Sequence, residues 1–153
     1  MIITNCRCII PVAKSPQKYQ AYRISPNSTN KLAVPFDPVE DKVSFSGCVE
    51  IFDVGAKTPP KRHMYATEIF FILKGEGRAS CNGKKIPIQE GDSLLVPPTG
   101  IHTIENTGKS RLYTLTKMAP NKEFVELIRR GIPTKLDEED LAVLRGKASP
   151  VLC

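Results

Sequence analysis

Two stretches decide the fold: Gly55-Ala56-Lys57-Thr58-Pro59-Pro60-Lys61-Arg62-His63-Met64-Tyr65-Ala66-Thr67-Glu68-Ile69-Phe70-Phe71-Ile72-Leu73-Lys74-Gly75, and Gly91-Asp92-Ser93-Leu94-Leu95-Val96-Pro97-Pro98-Thr99-Gly100-Ile101-His102-Thr103-Ile104-Glu105-Asn106. Between them they hold both histidines of the chain. Glu68 to Lys74 is the most strand-like segment, with apolar side chains on both faces: Phe70 and Ile72 share the side of Glu68, and Ile69, Phe71 and Leu73 take the other. A strand of that kind is expected in a barrel wall covered by a second layer. Lys61 and His63 are two apart and face one way in an extended segment, whereas His63 and Glu68 face opposite ways on a regular strand. They converge only if the chain bends between Met64 and Thr67, with His102 approaching from a third element. If they meet, two imidazoles and a carboxylate make a facial set suited to iron, manganese or nickel, with open positions left for a ligand.

The spacing of these residues resembles the two motifs of the cupin superfamily. The first motif runs Gly, five residues, His, one, His, three or four, Glu, six, Gly; here Gly55, Lys61, His63, Glu68 and Gly75 fall in register, with a lysine where the first histidine stands. The second runs Gly, five, Pro, one, Gly, two, His, three, Asn; here Gly91, Pro97, Thr99, His102 and Asn106 match, with threonine for glycine at 99. The resemblance covers the middle third of the chain. It implies an all-β, antiparallel jelly-roll barrel, a metal held by His63, Glu68 and His102, and pairing of N-terminal strands with a neighbouring subunit, hence a homodimer. Cupin folds host enzymes, isomerases, storage proteins and sensors, so the fold does not fix the function.

Lys61 decides between two outcomes. An ammonium close to a divalent ion is repelled by several kcal/mol at about 4 Å in a low-dielectric interior, so a bound metal requires Lys61 to swing away, pair with an anionic substrate or lose its proton. Otherwise Lys61 takes the metal position and pairs with Glu68. If burial depressed its pKa, it would act as a base or imine-forming amine. Tyr65 in the bend, Phe70 on the wall and Tyr113 on a later strand are candidates to line the ligand cavity with Lys61. Glu50 joins them only if its face of the strand points inwards.

Composition bounds the rest. At 153 residues the chain is expected to be one domain, with an N-terminal strand arm over 1–40, a barrel core over 41–118 and helices over 120–147. The 13 prolines exceed the roughly 5 % of average usage and favour short strands and rigid turns. No apolar run approaches the ~20 residues of a membrane span, and the first residues lack a signal-type core, which predicts a cytoplasmic protein. Five scattered cysteines fit reduced thiols. The net charge of +6 is spread along the chain with no nucleic-acid motif, so the expected partner is a small molecule; Lys57, Lys61 and Arg62 would draw an anionic one. No organic cofactor fingerprint, nucleophile elbow or phosphate loop occurs.

Strands are expected at 7–12, 19–24, 43–54, 68–74, 78–81, 84–88, 93–96, 102–105 and 111–118, with Asn82-Gly83 as a hairpin turn. After Pro120, Asn121 is placed to cap a helix ended by Gly131, and Asp137-Glu138-Glu139-Asp140 to open a second that closes near Arg145 and Gly146. These helices are expected as a lid or outer buttress. Together the residues point to a metal-dependent enzyme acting on a small anionic or oxygen-rich molecule, oxygenase-type ahead of isomerase or lyase, with no catalytic residue assigned. The alternatives are a metal-free ligand-binding or sensing cupin with Lys61 in the metal position, and an accessory scaffold.

Overall fold

The computed structural model of the chain describes residues 11–121 and 123–147. Cys6, Cys8, Cys153 and most of the segment expected as a strand at 7–12 lie outside the described residues; Pro11 and Val12 are not in a strand.

Among the described residues ten strands form two antiparallel sheets: β1 (Gln20–Arg23), β2 (Lys31–Phe36), β3 (Ser46–Phe52), β4 (Thr67–Lys74), β5 (Glu76–Cys81), β6 (Lys84–Gln89), β7 (Ser93–Val96), β8 (His102–Glu105), β9 (Leu112–Ala119) and β10 (Ile132–Thr134). The large sheet has the order β10-β1-β2-β3-β9-β4-β7 and the small one β6-β5-β8. Phe52, Phe70, Ile72, Val96 and Leu112 of the large sheet meet Ala79, Ile88 and Ile104 of the small one in a shared core, as in a jelly roll. Gly75 turns β4 into β5 at φ +91, where a Cβ would lie 2.7 Å from the Arg111 carbonyl oxygen, so no larger residue fits.

Strand β1 lies within the segment expected at 19–24, and β3 to β9 fall where the alternation places them; β2 and β10 were not expected. β2 was not expected, because Pro35 reads as a breaker, yet Ala33 pairs with Val49 and Phe36 with Gly47 across a register shift that accommodates the proline. β1 and β2 pair with β10 and β3 of the same chain, so both are part of the large sheet. The expected covering of both faces of β4 holds on one side only. Ile69 and Phe71 are 39 % and 42 % exposed, and their cross-strand neighbours Leu95 and Leu115 face solvent beside them, because the helices cover the other end of the sheet.

Helix α1 (Phe124–Arg129) buries Phe124, Val125 and Ile128 against Leu32, Val34, Cys48 and Met118 on the concave side, as a lid. Asn121 is not its cap; Glu123 holds that position in a left-handed conformation with no capping side chain. Helix α2 (Glu138–Leu144) opens on a capping box between Asp137 and Asp140 and packs Val143 and Leu144 towards Ala33, Val49, Ile51 and Tyr113 on the convex side. There buried Asp140 accepts from Lys31, from Arg111 at 3.1 Å and from the Tyr113 hydroxyl at 3.0 Å, while Asp137 accepts from Arg111 at 2.6 Å. One helix is therefore the lid and the other the buttress.

Candidate metal centre

The centre lies where three segments meet. Glu68 is the second residue of β4, with its side chain inward, in phase with Phe70 and Ile72, and is fully buried. His102 starts β8 and is 2 % exposed. Residues 55–61 run antiparallel along β8: Thr58 N–H donates to the Ile104 carbonyl, and Lys61 and His102 exchange backbone hydrogen bonds at 3.1 and 2.9 Å. That pairing sets Lys61 beside His102. The chain then bends at Met64 and Tyr65, and the His63 carbonyl accepts from Thr99 N–H at 2.7 Å, which returns the imidazole towards Glu68. Thr99 sits at φ +73, in the left-handed region, and this is why the resembling motif carries glycine there.

The two oxygens of Glu68 are divided. Oε2 lies 2.7 Å from His102 Nε2 and 3.1 Å from His63 Nε2, whereas Oε1 accepts from the Lys61 ammonium at 3.0 Å. His102 Nδ1 faces the Gly100 carbonyl at 3.0 Å, which fixes the ring and points Nε2 inwards. His63 Nε2, though near Oε2, is off the hydrogen-bond direction; it is buried and has no hydrogen-bond partner. One donor atom from each of His63, Glu68 and His102 lies within 4.8 Å of the others. Two bonds of ~2.1 Å span at most about 4.2 Å, so joint coordination needs only a small inward movement. The partnerless imidazole nitrogen and the nitrogen–nitrogen–oxygen set fit a divalent transition ion.

The electrostatics favour a carboxylate at the centre. Burial opposes ionisation of Glu68, but His102, His63 and Lys61 outweigh it and hold its carboxyl well below the usual carboxylate range. Burial also opposes the Lys61 ammonium, yet Glu50 and Glu68 raise its pKa above the ordinary lysine value. The reading of Lys61 as a base or imine-forming amine is thereby corrected: it is held as a cation. It also grips Glu68 Oε1, whereas both imidazoles approach Oε2.

Beside the centre, on the far side of Lys61, opens a cavity of about 390 Å³ lined by Asn30, Leu32, Glu50, Lys61, Phe124 and Leu127 among others. Lys57 lines it too, while Arg62 is exposed. Glu50 faces inwards and is 4 % exposed; burial raises its pKa against the opposing pull of Lys61 and the Asn30 amide. Phe70 is buried at the centre, its ring edge-on to His102 with centroids 6.1 Å apart and 5.6 Å from the Lys61 nitrogen. Of the four expected lining residues only Lys61 is in the lining of this cavity; Phe70 lies at the centre beside it, and the other two are elsewhere. Tyr65, in the bend, is 76 % exposed and outside the cavity lining. Tyr113 points to the convex side, out of phase with inward Thr114 and Thr116, and bonds Asp140. Asn30 and Phe124 were not anticipated, since a turn asparagine and a helix phenylalanine carry no signal of a cavity.

A family model described as a Cupin domain matches residues 48–116. An oxalate-binding protein of Thermotoga maritima is 40 % identical over 58 residues, 38 % of this chain and 48 % of that protein. An uncharacterized protein of Methanocaldococcus jannaschii is 37 % identical over 65 residues, 42 % of this chain and 52 % of its own. The chain spans about half the length of the curated relatives it matches. Among solved structures, a predicted oxalate decarboxylase of Thermotoga maritima superposes with a TM-score of 0.64 at 26 % identity, over 70 % of this chain and 97 % of that one. A RmlC-like cupin of Shewanella frigidimarina gives a TM-score of 0.62 at 16 % identity over 74 % and 95 % of the two chains, which speaks for the fold alone. With both motifs converging at one end of a jelly roll, residues 48–116 form a cupin domain, and the fold of the chain is that of the cupin superfamily.

Proposed function

We propose that the chain is a metal-dependent cupin enzyme acting on a small anionic or oxygen-rich molecule, with oxygenase-type chemistry ahead of isomerase or lyase chemistry. The observation that carries the metal is the buried Nε2 of His63, which has no hydrogen-bond partner although it lies 3.1 Å from the carboxylate oxygen that His102 Nε2 also approaches. His63, Glu68 and His102 would hold iron, manganese or nickel; when bound, the ion supplies Lewis acidity at a ligand oxygen. The chain's own residues do the rest. Lys61 holds the other oxygen of Glu68 and offers its remaining N–H groups to an anion in the cavity. Phe70 and Phe124 exclude water around the ammonium, at 5.6 and 5.5 Å from it, which strengthens its attraction for a negative charge. An oxalate-binding relative and a predicted oxalate decarboxylase of similar fold support a small carboxylate as ligand.

A second reading is favoured by the Lys61–Glu68 ion pair: a metal-free binding module in which the ammonium anchors the anion. Titration of the stripped protein with oxalate, with and without manganese, separates the two. Binding that requires manganese and disappears in His63→Ala supports the enzyme. Equal binding in both conditions overturns it. Homodimerisation and a cytoplasmic setting belong to the same proposal; the free thiols of Cys48 and Cys81 support a reducing compartment, and sedimentation velocity tests the dimer.

A further inference from the structure

The cavity beside the centre contains a second recognition surface that the metal does not use. Glu50 and Asn30 stand side by side in its lining: the Asn30 amide donates to Glu50 Oε1 at 3.2 Å, which leaves Glu50 Oε2 and Asn30 Oδ1 as buried acceptors with no hydrogen-bond partner. Both side chains are more than nine-tenths buried and both line the cavity. Two converging acceptors, one of them a carboxylate, call for a ligand group rich in N–H donors, because an unmet buried acceptor forfeits its hydration. A purely cationic ligand is disfavoured, since Lys61 and Lys57 line the same space. Leu32, Phe124 and Leu127 line the same cavity and suit an apolar body.

We propose that this cavity takes a small zwitterion, a primary ammonium and a carboxylate on an apolar skeleton, with the ammonium donating to Glu50 Oε2 and Asn30 Oδ1 and the carboxylate facing Lys61. The volume of about 390 Å³ lies in the usual range for small-molecule sites. This deepens the reading above by naming the ligand class of the same cavity, and it does not depend on the metal.

Calorimetric titration of metal-stripped protein with L-leucine, 4-methylpentanoate and 3-methylbutylamine tests it, since the last two are the same skeleton lacking the ammonium and the carboxylate. Leucine is expected to bind about tenfold to a hundredfold more tightly than either half-molecule, the increment of charge-assisted hydrogen bonds. Glu50→Gln is expected to remove most of the advantage of leucine over 4-methylpentanoate. Equal affinity for leucine and 4-methylpentanoate, no binding of leucine, or unchanged leucine affinity in a folded Glu50→Gln would each overturn the proposal. The comparison of the three compounds on the unaltered protein decides it even if that variant does not fold. Because metal is absent throughout, failure of the metal reading leaves this result intact.

Discussion

Glu68 and Asp140 are both fully buried carboxylates paired with a lysine, and they lie on opposite faces of one sheet. Asp140, on the convex side, is saturated: Lys31, Arg111, Tyr113 and the backbone of Asp137 all donate to it. Glu68, on the concave side, has one oxygen satisfied by Lys61 and the other shared between two imidazoles, one of them misaligned. A carboxylate ringed by donors fastens α2 to the sheet and has nothing left to bind. A carboxylate between lone-pair donors, next to a cavity, keeps capacity for a cation. Burial and pairing with lysine therefore do not separate a structural site from a functional one; the donor count does.

The contrast breaks first if Asp140 is removed. Asp140→Ala leaves the buried Tyr113 hydroxyl without its acceptor and Lys31 with Asp137 alone at 3.2 Å, and should cost about 3–5 kcal/mol in denaturant unfolding, with no change in metal affinity. Loss of metal binding in a folded Asp140→Ala would mean that the two faces are not independent. Lys61→Ala removes a cation whose repulsion of a divalent ion about 6 Å away is about 5 kcal/mol at an effective dielectric near 20. After allowance for its partial exposure, metal affinity should rise about tenfold to a hundredfold. A fall would show that Lys61 is needed to hold Glu68 in place.

Acid sharpens the comparison. The Glu68 carboxyl is depressed below its ordinary value of 4.5, so its contribution to stability is fully present above that pH and is lost as pH falls towards its lowered folded value. Asp137 is depressed as well: burial opposes its ionisation, and the Asp140 backbone, Arg111 and Lys31 prevail. Melting temperature should therefore decline as pH falls below about 4, and Glu68→Gln should flatten part of that decline. An identical acid profile in the variant would deny Glu68 its role. The smallest effect concerns the backbone under His63: Thr99→Gly relieves a left-handed threonine and should stabilise by about 1 kcal/mol without moving the metal constant.

What the sequence made legible follows the same division. The concave centre was readable because period-two alternation places Glu68, Phe70 and Ile72 on one face, and because Lys61, His63 and His102 stand at recurring spacings. The bend at Met64 and Tyr65 was required by that reading and is present. The convex network was opaque, since Lys31 and Asp140 are 109 residues apart and each alone reads as a solvated charge. Pro35 hid β2, and with it the inward face that carries Leu32. Tyr113 was placed in the cavity for want of a register; one residue of phase puts it on the other side of the sheet.

The claim on which all of this rests is that His63, Glu68 and His102 together hold one divalent ion in spite of Lys61. Equilibrium dialysis of stripped protein against manganese measures it directly. The account predicts one ion per chain in the unaltered protein, tighter in Lys61→Ala, and none in His63→Ala or His102→Ala. Protein that takes up no manganese, iron or nickel in either the unaltered form or Lys61→Ala would contradict it.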